Sequence, residues 1–315
     1  MEQIVLYMAP MQGFTEFPLR NAFAAAGVAV DGFVAPFVDA HEFARGKARK
    51  LKDLEVVNNS SISLTPQLLG SNPDELVALA GWFHELGYKT ISLNLGCPYP
   101  MVALKGAGSG LIAHPEVVDL TLSKLFSAFP DISLSVKTRL GYADPLELEG
   151  LIPVLNKYKL AEVVVHPRIG KQLYKGEVDL DAFAKVAADL NTPICYNGDI
   201  LTLSDFRQRK QRFPSINRWM IGRGALQNPL LFSEIRSGVE ATADEKLKVI
   251  EIIHDELFRH YVSVLSGDSH LLKKIGPFWD YFAAGFPERR KLLKKIVKAT
   301  KAEHYQLAAI EFFKA

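Results

Sequence analysis

The chain of 315 residues is short of several things, and each shortage excludes something. Two cysteines, Cys97 and Cys195, cannot build a disulfide framework, and nothing points to an oxidising compartment. No apolar run approaches the ~18 residues of a membrane span. The opening MEQIVLYMAPM lacks the basic region and long apolar stretch of a secretory signal, so a cytoplasmic protein with no membrane association is expected. No GxGxxG follows a first strand, which speaks against a tightly held dinucleotide; Gly106, Gly108 and Gly110 come nearest, with the wrong spacing. Net charge is only +2, so the total names no partner. What the chain does have is 48% hydrophobic residues, enough for a large core and a smaller companion.

Eight β-rich runs recur: IVLYMAPM, GFVAPFV, SLTPQLLG, TISLNLGC, LSVKTRLG, EVVVHPR, PICYNGD and RWMIGRG. Most are nearly continuous apolar stretches, as strands buried on both faces should be. Helical spacings such as PDELVALAGWFHELG lie between them. Eight alternations predict an α/β fold, a (β/α)₈ TIM barrel, over residues 1–240. From Ala241 the pattern changes to amphipathic helices, which predicts a small all-helical C-terminal domain over residues 241–315. Nine Lys or Arg fall between Leu271 and Lys301 against two acids, a surplus of seven that leaves the remainder at −5. A solvated helix face would explain that equally well, but a polyanionic partner is the alternative it raises.

Active sites of such barrels gather at the C-terminal ends of the strands. There the sequence places Pro10 and Met11, Gln67, Asn94 with Cys97, Lys137 with Arg139, and His166 with Arg168. Asn197, Gly198 and Asp199 close the seventh run; Gly222 and Arg223 follow the eighth. Loops after strands seven and eight often hold a phosphate on backbone N–H groups. NGDI and IGRGAL offer glycines for that approach, and Arg223 offers a fixed cationic fork. A mononucleotide such as FMN fits better than bound NAD, and no metal site is expected. Lys137 would then face the polar edge of a flavin and stabilise its reduced, anionic form, with Asn94 and Gln67 able to hydrogen-bond the ring.

The ordered set MAPMQGFTEFPLR, NLGCP with GAGSGLIAHP, VKTRLG, VVVHPR with QLYKG, NGDI and MIGRGALQNPLLF resembles the tRNA-dihydrouridine synthases over essentially the whole chain. The tail LLKKIGPFWDYFAAGFPERRKLLKKIVKATKAEH is similar to that family's helical RNA-binding part. The resemblance implies reduction of the C5–C6 double bond of a loop uridine in tRNA, with FMN as cofactor and NADPH or NADH as reductant. It implies that Pro10, Met11, Gln67, Lys137, His166, Asn197, Asp199, Gly222 and Arg223 hold FMN, and that Asn94 and Arg139 lie near the uracil. Cys97 would give the proton to C5 after hydride reaches C6. A thiol with the ordinary pKa of about 8.5 is mostly protonated at neutral pH, so it would act as an acid. Pro98 and the glycines after it suggest a loop that opens to admit RNA. Arg168 is counted with the substrate contacts, and Lys294, Lys295 and Lys298 are expected to grip tRNA phosphates. DNA binding is not expected, nor is an oligomer. Three departures stand out: Ala35 and Pro36 where many members have Thr-Glu, Met101 where many have lysine, and Pro167 and Ile169 in HPRI. A free-pyrimidine reductase, an RNA-binding protein with incidental flavin chemistry and a phosphosugar enzyme on the same barrel are the competing readings.

Overall fold

The computed structural model describes residues 4–49 and 51–315. The Val-, Ile- and Leu-rich runs become parallel strands: β1 (Val5–Met8), β2 (Gly32–Val34), β3 (Val38–Asp39), β4 (Leu64–Thr65), β5 (Gln67–Leu69), β6 (Thr90–Leu95), β7 (Ser133–Gly141), β8 (Glu162–Ile169), β9 (Ile194–Asn197) and β10 (Arg218–Ile221). β1 pairs with β2 on one side and β10 on the other, joining the first strand of the chain to the last. Two of the eight expected strands are each split. β2 pairs with β4 and β3 with β5, with Pro36 and Pro66 in the breaks. Proline has no N–H to give a ladder, so the strands are interrupted where it falls. The result is the expected eight-stranded barrel, drawn in ten segments.

Ala9, Val34, Val164, Cys195 and Met220 form a buried apolar cluster of their own, with Tyr7 packed against it. Cys195, on β9, is fully buried there. Glu162 and Arg218, the first residues of β8 and β10, form an ion pair at 3.1 Å at the N-terminal ends of the strands. Helices cover the outside, and their starts are written in the sequence. Asn72 accepts hydrogen bonds from the N–H groups of Asp74 and Glu75 to open helix Pro73–Glu85, and Thr202 and Asp205 form a reciprocal cap on helix Leu203–Arg212.

Thr242 and Glu245 make the same reciprocal cap on the long helix Ala243–Val264. It packs against helix Phe17–Ala25, burying Leu247, Ile250, Ile253 and Leu257. Helices Asp268–Ile275, Trp279–Phe282, Arg290–Lys298 and Ala302–Lys314 follow. Trp279 is buried edge-on to Phe312 at 4.9 Å and donates its indole N–H to the Tyr305 hydroxyl at 2.7 Å. His254 meets that hydroxyl from the other side at 2.8 Å. Ring packing and an ion pair tie these helices to the rim of the barrel. Phe14 stands edge-on to Phe278 and Tyr281, each at 5.2 Å, and Lys274 reaches Glu16 at 2.7 Å. Edge-to-face ring pairs add about 0.5–1.5 kcal/mol each beyond the area they bury. Among the described residues no helix is long and apolar enough to cross a membrane.

Candidate active site

A cavity of about 370 Å³ opens at the C-terminal ends of the strands. Thirteen of the residues expected there line it: Pro10, Met11, Gln67, Asn94, Cys97, Lys137, Arg139, His166, Asn197, Gly198, Asp199, Gly222 and Arg223. The strand register explains their convergence, because parallel pairing sets Asn94 level with Lys137 and Arg139 level with His166. Just beyond Arg139 the β7–β8 pairing slips, so Gly141 meets Ile169. Irregularities of this kind are common at barrel rims, where they re-aim side chains.

Cys97 is held by a polar network beneath its loop. The Asn94 side-chain oxygen accepts the N–H groups of Gly96 at 2.9 Å and Cys97 at 2.8 Å. Its amide nitrogen donates to Gln67 at 2.7 Å, and Gln67 donates onward to Ser92 at 3.3 Å. Asn94 therefore lines the cavity with its amide oxygen already engaged in positioning the thiol. On the far side of the loop, Ser109 gives both its N–H and its hydroxyl to the Cys97 carbonyl. Gly108 has φ +56°, and a Cβ there would lie 2.8 Å from the Cys97 Cβ. A Cβ on Gly110 would strike the Ala103 carbonyl at 2.0 Å. Of the glycines expected to give the loop freedom, Gly108 and Gly110 serve here as close-packing positions. Burial pushes the Cys97 thiol above its ordinary pKa, against the opposing pull of the Tyr99 N–H and of Arg139 and Lys137. The thiol therefore stays protonated at neutral pH.

The other walls are cationic. Burial, with Arg139 nearby, lowers Lys137 to about 8. Among the described residues its ammonium makes no hydrogen bond or ion pair, so it stands as a ready anion partner. Arg139 is lowered to about 10, chiefly by burial. Its guanidinium donates to the carbonyls of Gly96 at 3.0 Å, Ile169 at 3.1 Å and Leu173 at 2.8 Å. His166 is pushed well below its usual range, by burial and then by the surrounding Arg139, Lys137, Arg168 and Arg223. It is neutral, and since Arg168 can only donate, the 3.1 Å contact makes His166 Nε2 the acceptor and leaves the proton on Nδ1.

Arg168, expected among the substrate contacts, does not line the cavity. It is 2% exposed and reaches the two Asp199 oxygens at 3.0 and 2.5 Å. Arg223 takes Asp199 from the other side at 2.7 Å. Although Arg168 lies two residues after the in-facing His166 on β8, its guanidinium is drawn to the β9 corner, where Asp199 and the Gly176 carbonyl hold it. Two cations on one carboxylate leave a local surplus of +1. Asp199 has φ +43°, a strained setting that the two arginines hold. No hydrogen bond among the described residues uses the backbone N–H groups of Gly198, Asp199, Arg223 or Gly224. Gly224 admits no side chain, since a Cβ would meet the Ile200 carbonyl at 2.1 Å. Free N–H groups beside a net positive charge suit a phosphate, and the unpaired Lys137 suits the anionic edge of a flavin.

Lys294, Lys295 and Lys298 lie away from the cavity on the exposed face of helix Arg290–Lys298. Lys295 pairs with Glu311 at 2.6 Å; Lys294 and Lys298 carry no ion pair among the described residues. Five aromatic residues that line the cavity, Phe14, Phe37, Tyr99, Tyr174 and Tyr281, were not singled out from sequence. Tyr174 lies between Arg139 and Arg223, whose guanidinium carbons sit 5.4 and 5.3 Å from its ring centre. Phe14 and Tyr281 complete the wall, the latter from the C-terminal helices. Tyr174 falls in the QLYKG motif, a signal of position without a role; Tyr281 carried no signal beyond lying in the tail.

A family model described as "Dihydrouridine synthase (Dus)" matches residues 7–313. The chain is 30% identical over 247 residues to the tRNA-dihydrouridine(16) synthase of Cupriavidus necator, covering 76% of each chain. It is 31% identical over 237 residues to the protein of that name from Ralstonia nicotianae, covering 73% of this chain and 72% of that one. It is 27% identical over 266 residues to the tRNA-dihydrouridine synthase B of Pasteurella multocida, covering 81% and 78%. Among solved structures, a variant of NCR from Zymomonas mobilis superposes with TM-score 0.55 at 11% identity, over 76% of this chain and 88% of that one. The old yellow enzyme from Trypanosoma cruzi superposes with TM-score 0.54 at 9% identity, over 75% and 89%. Those two likenesses establish the barrel fold alone.

Proposed function

The chain belongs to the dihydrouridine synthase family, and on that premise we propose that it is a tRNA-dihydrouridine synthase, a flavin-dependent oxidoreductase. It reduces the C5–C6 bond of a loop uridine in tRNA, with NADPH or NADH as the source of electrons. The observation that carries the chemistry is a thiol held protonated by burial and fixed by Asn94, opening onto a cavity with cationic walls. FMN, when bound, supplies hydride to uracil C6. Every other part falls to the chain. Gly198, Asp199, Arg223 and Gly224 offer N–H groups to its phosphate, with the +1 surplus of the Arg168–Asp199–Arg223 cluster beside them. Lys137 holds positive charge at the ring's polar edge, and Gln67, His166, Asn197, Met11, Pro10 and Gly222 shape the bed. Cys97 gives its proton to C5 of the uracil as the C6 position takes hydride, which avoids a free carbanion.

C5 and C6 of a stacked base cannot enter a barrel, so the uridine swings out of its loop into the cavity. Arg139, whose carbonyl partners fix its guanidinium in the wall, borders the uracil site. The division of labour follows the chain: residues 1–240 carry the chemistry, and the helices of residues 241–315 grip tRNA phosphates through Lys294 and Lys298, with Lys295 loosely tied to Glu311. We read the protein as a cytoplasmic monomer.

The test is position-resolved mass spectrometry of tRNA lacking dihydrouridine, treated with the purified protein and NADPH. A gain of two hydrogens at one loop uridine is expected, and position 16 is the first to examine because two of the similar proteins carry it in their names. Flavin-bearing protein that oxidises NADPH and leaves every uridine unchanged refutes the reading.

A further inference from the structure

Between β3 and β4 the sequence reads ARGKARKLK, with Arg45, Lys47, Arg49, Lys50 and Lys52 and no acid from Phe43 to Lys52; Lys50 lies outside the described residues. Lys47 and Arg49 are exposed, and neither makes an ion pair among the described residues. A charge run of this kind is most often a solvated surface. Two observations take it further. First, Lys47 and Arg49 line a groove of about 590 Å³ that shares Gln12, Pro36 and Phe37 with the catalytic cavity. The groove is next door to the reacting centre, on the side where Pro36 breaks the barrel strand. Second, two of its four acids are already paired with cations from outside the loop. Asp53 is held by the buried Arg20 at 3.1 Å, Glu16 by Lys274 at 2.7 Å, and Asp39 caps the helix Ala40–Ala44. Asp39, which caps a backbone N–H and keeps its charge, and Glu42 remain to oppose the cations, and the four exposed loop cations Arg45, Lys47, Arg49 and Lys52 outnumber them.

The loop is also anchored. Arg20 donates to the Asp53 carboxylate and carbonyl and to Asn59, and Tyr88 donates its hydroxyl to the Leu54 carbonyl at 2.7 Å. Cations on a fixed base lose little freedom when they meet a ligand.

We propose that this groove binds the sugar–phosphate backbone of the RNA strand flanking the target uridine, with Lys47 and Arg49 on its phosphates. The proposal rests on the tRNA reading above and adds an RNA-binding surface on the barrel itself, apart from the C-terminal helices. A base that leaves its stack brings its neighbouring phosphates to the cavity rim, and the groove meets them there.

The experiment uses the full-length flavoprotein, unmodified transcribed tRNA and the double variant Lys47→Gln, Arg49→Gln. Binding is measured by fluorescence anisotropy at several salt concentrations. The wild type serves as the control for the reading beneath: if it neither binds this tRNA nor forms dihydrouridine in it, that reading fails first. With an active wild type, the variant is expected to bind roughly tenfold more weakly at low salt. The slope of log affinity against log salt should flatten by about 1.4 to 2, as expected when two phosphates are no longer neutralised. A melting temperature equal to wild type shows that the loop is intact, as exposed side chains predict. Unchanged affinity and slope overturn the proposal. So does slower flavin reduction by NADPH at unaltered tRNA affinity, which would assign the cations to the phosphates of the dinucleotide.

Discussion

Replacing Asn94 with alanine should damage the reaction more than the binding of either partner. The Asn94 side chain makes three hydrogen bonds, to the N–H groups of Gly96 and Cys97 and to Gln67. Alanine leaves the Cys97 N–H and the Gln67 oxygen without partners in a buried setting, while water from the cavity can reach Gly96. Each buried group left unpaired costs about 1–3 kcal/mol, so a total loss of about 2–6 kcal/mol is expected in urea denaturation. The kinetic effect comes from the freed loop. A misplacement of about 1 Å at a reacting group can cost on the order of 10²-fold in rate, so kcat for dihydrouridine formation should fall by about that factor with KM for tRNA little changed. Asn94→Asp is the control. Its carboxylate still accepts both N–H groups, and Gln67 can turn its amide over to donate, with the Ser92 hydroxyl donating in return. Most of kcat should come back in this variant. An Asn94→Ala protein with wild-type kcat and stability would refute the assignment of Asn94 as the support of Cys97, and so would an Asn94→Asp protein no better than alanine.

Cys97→Ala should retain flavin and tRNA binding and lose about 10²–10⁴ in single-turnover rate; equal rates for mutant and wild type would remove the thiol as the acid. Lys137→Met should weaken flavin binding and yet stabilise the flavin-free protein. The folded lysine titrates near 8 against the usual 10.5, so between those values the unfolded chain binds more protons and stability rises with pH. The advantage of methionine should therefore be full at pH 7 and fade from pH 8 to 10.5 in thermal melts of the apoprotein; a constant or growing advantage contradicts the burial argument. Tyr305→Phe removes the hydroxyl shared by Trp279 and His254 and should cost about 2–4 kcal/mol in denaturant titration, with a change under about 0.5 kcal/mol counting against the buried network.

The barrel was legible because its strands are buried on both faces and announce themselves as apolar runs between helical spacings. The breaks at Pro36 and Pro66 were visible as prolines, yet only the pairing of β2 with β4 and β3 with β5 shows that the ring closes around them. Site residues at strand ends could be placed in one mouth because topology carries them there. Which way each side chain turns could not, since that depends on register and on partners distant in sequence. Arg168 and Asp199 are 31 residues apart and Arg139 and Leu173 are 34 apart, and both pairs decide what an arginine is free to touch. Tyr281 is further still from the strands it faces.

Tyr281 and Phe14 make the cavity a joint possession of the barrel and the helices behind it. Linkage then runs in both directions. A ligand that alters the packing of Tyr281 on Phe14 changes how firmly the helices sit on the rim. A polyanion that draws those helices down must alter the affinity for that ligand by the same factor.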